Sequence, residues 1–191
     1  GTLSRFVRLV DDCPEVEIGL GTPREPIRLV QQPRGLRLVG ANTGEDLTTR
    51  MNRYARGKVR KLADLGLCGY ILKKSSPSCG MERVKVHAAK GPGRKSGRGM
   101  FAAVLMDRLP LLPVEEEGRL HDPRLRENFF ERVFAYHRLR LLFGNRWRIG
   151  DLVRFHTAEK LLLLAHSPKH HRELGRMVAA AGADPMRQVH L

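Results

Sequence analysis

Between Glu45 and Leu72 the sequence changes its hydrophobic period. Leu47, Met51, Tyr54, Val59, Leu62 and Leu65 recur at helical spacing until Gly66 stops them. The next apolar run, Cys68 to Leu72, is too short for a helix and reads as a buried strand. Arg5 to Val10 reads as an earlier strand, and Ile27–Val30 and Leu36–Val39 as a hairpin across Gln-Gln-Pro-Arg-Gly. Met100 to Arg108 reads as a helix and Leu111 to Val114 as a last strand. Strands alternating with helices predict an α/β fold, a Rossmann-like open sheet with crossover connections.

From Pro123 onward only helical periodicity remains, through Phe129, Val133, Tyr136, Leu139 and Phe143, then Leu152, Phe155, Leu161 to Leu164 and Leu174 to Ala181. The expected organisation is an α/β domain over residues 1–124 and a smaller all-α domain over residues 125–191. Between strand and helix, residues 83–99 are rich in glycine and basic side chains and read as a loop.

Composition narrows the partners. A formal net charge of +15, with 35 Lys and Arg, favours a polyanion such as nucleic acid, although an arginine-rich coding bias gives the same balance. No apolar run approaches the ~20 residues of a bilayer span. Three cysteines without a secretory signal argue against a disulfide framework and for a cytoplasmic protein.

Those cysteines differ in setting. Cys13 and Cys79 each lie just beyond an apolar strand, in a loop containing proline. If both strands run parallel in one sheet, their carboxyl ends share an edge, where open α/β sheets place ligands. Their separation is not the Cys-x-x-Cys of a zinc site, and two unrelated loop thiols remain the alternative. Cys68, at the start of its strand, is expected to pack rather than ligate.

Three stretches carry a resemblance: "CPEVEIGLGTPREPIRLV" at 13–30, "GYILKKSSPSCG" at 69–80 and "LPLLPVEEEGRL" at 109–120. Together they resemble the bacterial thiouracil and 4-thiouridine desulfidase family, domain of unknown function 523. "FHTAEKLLLLAHSPKHHRELGRMVA" at 155–179 resembles that family's frequent partner, domain of unknown function 1722. The resemblance implies non-redox removal of sulfur from a thiolated uracil, free or in tRNA, on a 4Fe-4S cluster held by three cysteines. It makes Cys13 and Cys79 two ligands, Glu15 the proton carrier, and Ser76 or Ser78 the group that orients substrate or water. It also places the third ligand upstream of Gly1, so the expected chain lacks its first strand and is cut short in the helical tail.

Lys90, Arg94, Lys95 and Arg98 are the candidate RNA-phosphate contacts in the glycine-rich loop. His156, Glu159, His166, His170 and His171 suggest a metal site only faintly, and exposed helix faces account for them better. Glu115-Glu116-Glu117 is expected to be a solvated turn. The competing readings are an iron–sulfur tRNA desulfidase, a desulfidase of free thiouracil, and a basic RNA-binding module whose cysteines are relics.

Overall fold

The computed structural model describes residues 5–88, 92–144 and 146–183. The chain forms two compact units, residues 1–129 and residues 130–191.

The first unit mixes helices and open sheets. After a single turn of helix, α1 (Pro14–Glu17), come β1 (Ile27–Gln32) and β2 (Gly35–Gly40), the expected hairpin. They pair antiparallel with Leu29 opposite Leu38, and both side chains are fully buried. The long helix α2 (Thr48–Asp64) follows, burying Met51, Ala55, Val59 and Leu62 on one stripe. Next come β3 (Tyr70–Leu72), β4 (Val84–His87), β5 (Arg94–Gly97), helix α3 (Met100–Arg108) and β6 (Val114–Glu116). One sheet runs β2-β1-β4-β5, with β1 and β4 parallel, and β3 pairs with β6 in a second, parallel sheet.

Four expectations are corrected here. Arg5 to Val10 forms no strand. Phe6, Leu9 and Val10 are 70, 68 and 57% exposed, and among the described residues no strand lies beside them to supply a ladder. The glycine-rich segment is not a loop but contains the β4–β5 hairpin. Pairing with β1 makes β4 a strand, a long-range contact that local composition does not encode. Gly97 permits the close approach, since a Cβ there would lie 2.4 Å from Val86 Cγ2. The last strand begins at Val114, after Pro113, which cannot donate to a ladder but accepts from Tyr70 N at 2.9 Å. Finally, Glu115 and Glu116 are buried on β6 rather than solvated. Glu115 accepts from Arg119 Nε at 2.7 Å, and Glu116 accepts from Met81 N at 2.8 Å.

Among its described residues the second unit forms helices and no strand. Helix α4 (Pro123–Phe143) begins in the first unit and continues into it, followed by α5 (Ile149–Ala158), α6 (Lys160–His166) and α7 (Pro168–Ala183). Among the described residues no helix is long and apolar enough to cross a membrane.

Candidate functional site

The site grows from two loops and one short helix. Cys13 precedes α1, which carries Glu15 one residue into its only turn. Cys79 ends the Ser76-Pro77-Ser78-Cys79 loop after β3. That loop is locked by α3: the amides of Phe101 and Ala102 donate to Ser78 O at 2.9 and 3.2 Å, and Met100 N donates to Pro77 O at 3.1 Å. The first-turn amides of a helix lack partners of their own, and loop carbonyls satisfy them here. Gly99 makes the approach possible. A Cβ there would stand 2.5 Å from Ser78 C and 2.6 Å from Cys79 N, and neither backbone atom can move aside.

The Glu15 carboxylate is the hub. Its Oε1 accepts from Ser78 Oγ at 2.5 Å and from Ser76 Oγ at 3.1 Å, and its Oε2 accepts from Arg24 Nε at 2.8 Å. The two serine oxygens lie 2.9 Å apart. Ser76 Oγ also accepts from the amides of Ser78 and Cys79 at 3.2 and 3.1 Å, which fixes the loop around its hydroxyl. Arg24 reaches across the site, with Nη2 3.8 Å from Cys13 Sγ. The carboxylate raises the Arg24 pKa, so the guanidinium stays charged beside thiol and acid.

Both cysteines line one cleft of about 460 Å³, with Asp12, Glu15, Arg24, Tyr70, Ile71, Lys73, Ser76 and Glu117 around them. That volume lies in the range of small-ligand pockets. Burial pushes the Cys79 thiol up to about 12. The hydrogen bond with Ser78 works against this shift, while Glu15, Cys13 and Asp12 add to it. Uncompensated, Cys79 is therefore a neutral thiol, and a cation at its sulfur is what would favour the thiolate.

The structure thus brings Cys13, Glu15, Ser76, Ser78 and Cys79 together, although only Cys79 follows a strand. Cys68 does not line the cleft; it precedes β3, half-buried, with Sγ 3.4 Å from Gly66 O. Arg94 and Lys95 lie exposed on β5, while Arg98 donates to Met81 O at 3.2 Å and pairs with Asp107 at 3.5 Å. Lys90 lies outside the described residues. The helical-unit histidines do not converge on a metal. Glu159 is engaged by Arg138, His166 faces Glu131 at 3.1 Å, and His156 stacks on His171 at 5.1 Å between ring centroids. Among the described residues no group of three His, Cys, Asp or Glu has metal-site geometry.

Sequence reading gave no role to Arg24 or Asp12. Arg24 stood inside a quoted motif, nine residues after Glu15, with no local sign that it would fold back. Asp12 lies two residues beyond the run Arg5–Val10, and no spacing there marks it.

With this geometry in hand, comparison with known proteins is decisive. A family model described as 2-thiouracil desulfurase matches residues 1–117. The chain belongs to that family. The uncharacterized protein YbbK of Bacillus subtilis (strain 168) is 32% identical over 113 residues, covering 51% of this chain and 72% of YbbK. A solved structure, the 4Fe-4S-dependent thiouracil desulfidase TudS, superposes with a TM-score of 0.52 at 29% identity, covering 66% of this chain and 79% of that one. The chain is a homologue of that enzyme. The family match ends before the helical unit.

Proposed function

We propose that this chain is a desulfidase that hydrolyses the carbon–sulfur bond of free thiouracil, giving the oxygen analogue and sulfide without net redox change. The observation that carries the reading is the Glu15 carboxylate, held by Ser76, Ser78 and Arg24 in the cleft that both loop cysteines line. Cys13 and Cys79 fit an iron–sulfur cluster as two of its sulfur ligands, since both are free thiols lining the same cleft. A 4Fe-4S cluster held by Cys13 and Cys79 would supply Lewis acidity toward the thiocarbonyl sulfur.

The chain's own residues do the rest. Glu15 takes a proton from the attacking water and returns one to the ring or the departing sulfur. Arg24 stabilises the ionised carboxylate while that proton is away. Ser76 and Ser78 offer hydroxyls that turn from Glu15 toward water or the pyrimidine edge as substrate enters. The test is anaerobic reconstitution with iron and sulfide, followed by release of sulfide and uracil from 2- or 4-thiouracil. Iron loading without sulfide release would reject the reading.

A second reading, 4-thiouridine in tRNA, is favoured by one observation. Helix α2 carries six basic residues against one acidic. Among the described residues Arg53, Arg56 and Arg60 make no ion pair, and they line a shallow depression of about 480 Å³ with Thr49 and Asn52. Exposed Arg94 and Lys95, with Lys90 nearby in sequence, would extend phosphate contacts beyond α2, whereas Arg98 is partly spent on Asp107. Turnover of thiolated tRNA well above that of the free base would select this reading.

A further inference from the structure

The backbone around Cys13 belongs to no strand, so no ladder sets the position of its sulfur. The Cys13 carbonyl accepts from Glu17 N at 3.0 Å within α1, and the side chain of the preceding residue, Asp12, ties the loop to more distant elements. Asp12 Oδ1 accepts from Tyr54 OH and from Lys58 Nζ, each at 2.8 Å, while Oδ2 accepts from Tyr70 OH at 2.9 Å. Its side chain is only 6% exposed. A buried carboxylate is costly unless its lone pairs are satisfied, and here a cation and two hydroxyls satisfy them. Burial, together with the charge of Asp12, raises the pKa of both tyrosines, so each remains a neutral donor.

The donors lead on to the other cysteine. Tyr54 and Lys58 lie one turn apart on α2, and Tyr70 is the first residue of β3. Both tyrosine rings lean on the fully buried Phe101, at 6.1 and 5.8 Å between centroids. The amide of Phe101 holds Ser78 O, one residue from Cys79. An unbroken series of contacts therefore runs from the residue before Cys13 to the residue before Cys79. Apart from the Phe101 amide on the Ser78 carbonyl, the series shares no side-chain hydrogen bond with the set that holds the Glu15 carboxylate.

We propose that Asp12 is a positioning residue: gripped by Tyr54, Lys58 and Tyr70, it fixes the Cys13 loop on α2 and β3 and so sets the juxtaposition of Cys13 and Cys79. The proposal rests on Cys13 and Cys79 acting as paired sulfur ligands, and goes beyond that reading by naming what pairs them. Asp12 acts through its neighbour and takes no part in the chemistry.

The test uses the full chain without its cluster and reads cobalt(II) binding through the sulfur-to-cobalt charge-transfer band, with Cys68→Ser as the background. Asp12→Ala should weaken cobalt binding roughly 10- to 100-fold, the usual effect of losing a group that orients a ligand. Asp12→Asn keeps an acceptor for the tyrosines and should recover part of the loss. Should Asp12→Ala fail to fold by circular dichroism, Tyr70→Phe removes one donor and should cost roughly three- to tenfold in cobalt affinity. Wild-type affinity in Asp12→Ala, or in Tyr70→Phe where that variant stands in, overturns the proposal. Wild-type protein that binds no cobalt through both thiols overturns it as well. Because the readout involves no turnover, tight cobalt binding in a protein that releases no sulfide would reject the desulfidase reading and leave this inference standing.

Discussion

The two units solve different problems. Residues 1–129 bury Leu29, Leu38, Met51, Phe101 and Leu105 completely and enclose a polar network around Glu15. Among the described residues of 130–191 the one buried apolar side chain is Val133, while Leu161 and Met177 stand 80 and 58% exposed. The first unit spends burial on rigidity, which catalytic geometry requires. The second has helices whose apolar stripes are thinly covered, and helical stability in proteins comes mainly from such cover. The difference teaches where to look for chemistry: the polar interactions around Glu15 meet in one cleft, and those described in the second unit form separate pairs.

The sharpest way to break this contrast is at the carboxylates. Glu15→Gln should lower thiouracil turnover by roughly 10²- to 10⁴-fold, the span of a lost general acid–base group. Glu159→Gln in the helical unit should leave turnover within twofold, about 0.4 kcal/mol. Steady-state sulfide release measures both. Equal losses would mean that the helical unit shares the active site.

Packing gives the next test. Met51→Ala should destabilise by about 2–5 kcal/mol, whereas Val133→Ala, one truncation in a thin core, should cost about 1 kcal/mol. Urea unfolding followed by circular dichroism compares them.

Why the sequence disclosed some of this and not the rest follows from range. The β1–β2 hairpin, α2 and α3 are written in local periodicity and turn residues, and each lies within a few residues of its expected place. Arg5–Val10 and the β4–β5 segment failed because strands need neighbours. The first run has none among the described residues, and β4 gains one from β1 far away in sequence. In the site, Cys13, Glu15 and the Ser-Pro-Ser-Cys loop were legible as motifs, and the fold brings them together. Arg24, Asp12 and the Tyr54–Phe101–Tyr70 cluster were not legible. Their roles are contacts across 9 to 58 residues of chain, which no spacing announces.

Acidity offers a third comparison. In cluster-free protein the Cys79 thiol is pushed up to about 12, chiefly by burial, so at neutral pH it carries its proton. A raised pKa in an acid that is neutral when protonated means that the thiolate fraction climbs with pH throughout the range below 12. Alkylation of Cys79 by iodoacetamide should therefore rise about tenfold per pH unit from 7 to 10. An exposed model thiol, with a pKa of about 8.5, levels off within that range. Mass spectrometry of the modified peptide follows the rate. A plateau for Cys79 near pH 9 would show the site to be wetter than its burial implies.

The last test is the most pointed, because it concerns a place where the helical unit resembles the first. Glu159 sits between α5 and α6, its side chain 7% exposed, and both of its oxygens accept from Arg138 of α4. A forked pair to a buried carboxylate looks like the hold on Glu15, and breaking a fully buried pair costs several kcal/mol. Arg138, however, is 48% exposed, and the carboxylate raises its pKa from a half-solvated position. Water can reach the guanidinium and, once it is gone, the carboxylate too, so most of the penalty is screened. Arg138→Met, which keeps much of the stem's packing, should therefore cost only about 1 kcal/mol in urea unfolding. A cost matching that of Met51→Ala would mean that the helical unit is built around a polar core. Its thin apolar cover would then be a design of its own rather than a sign of loose packing.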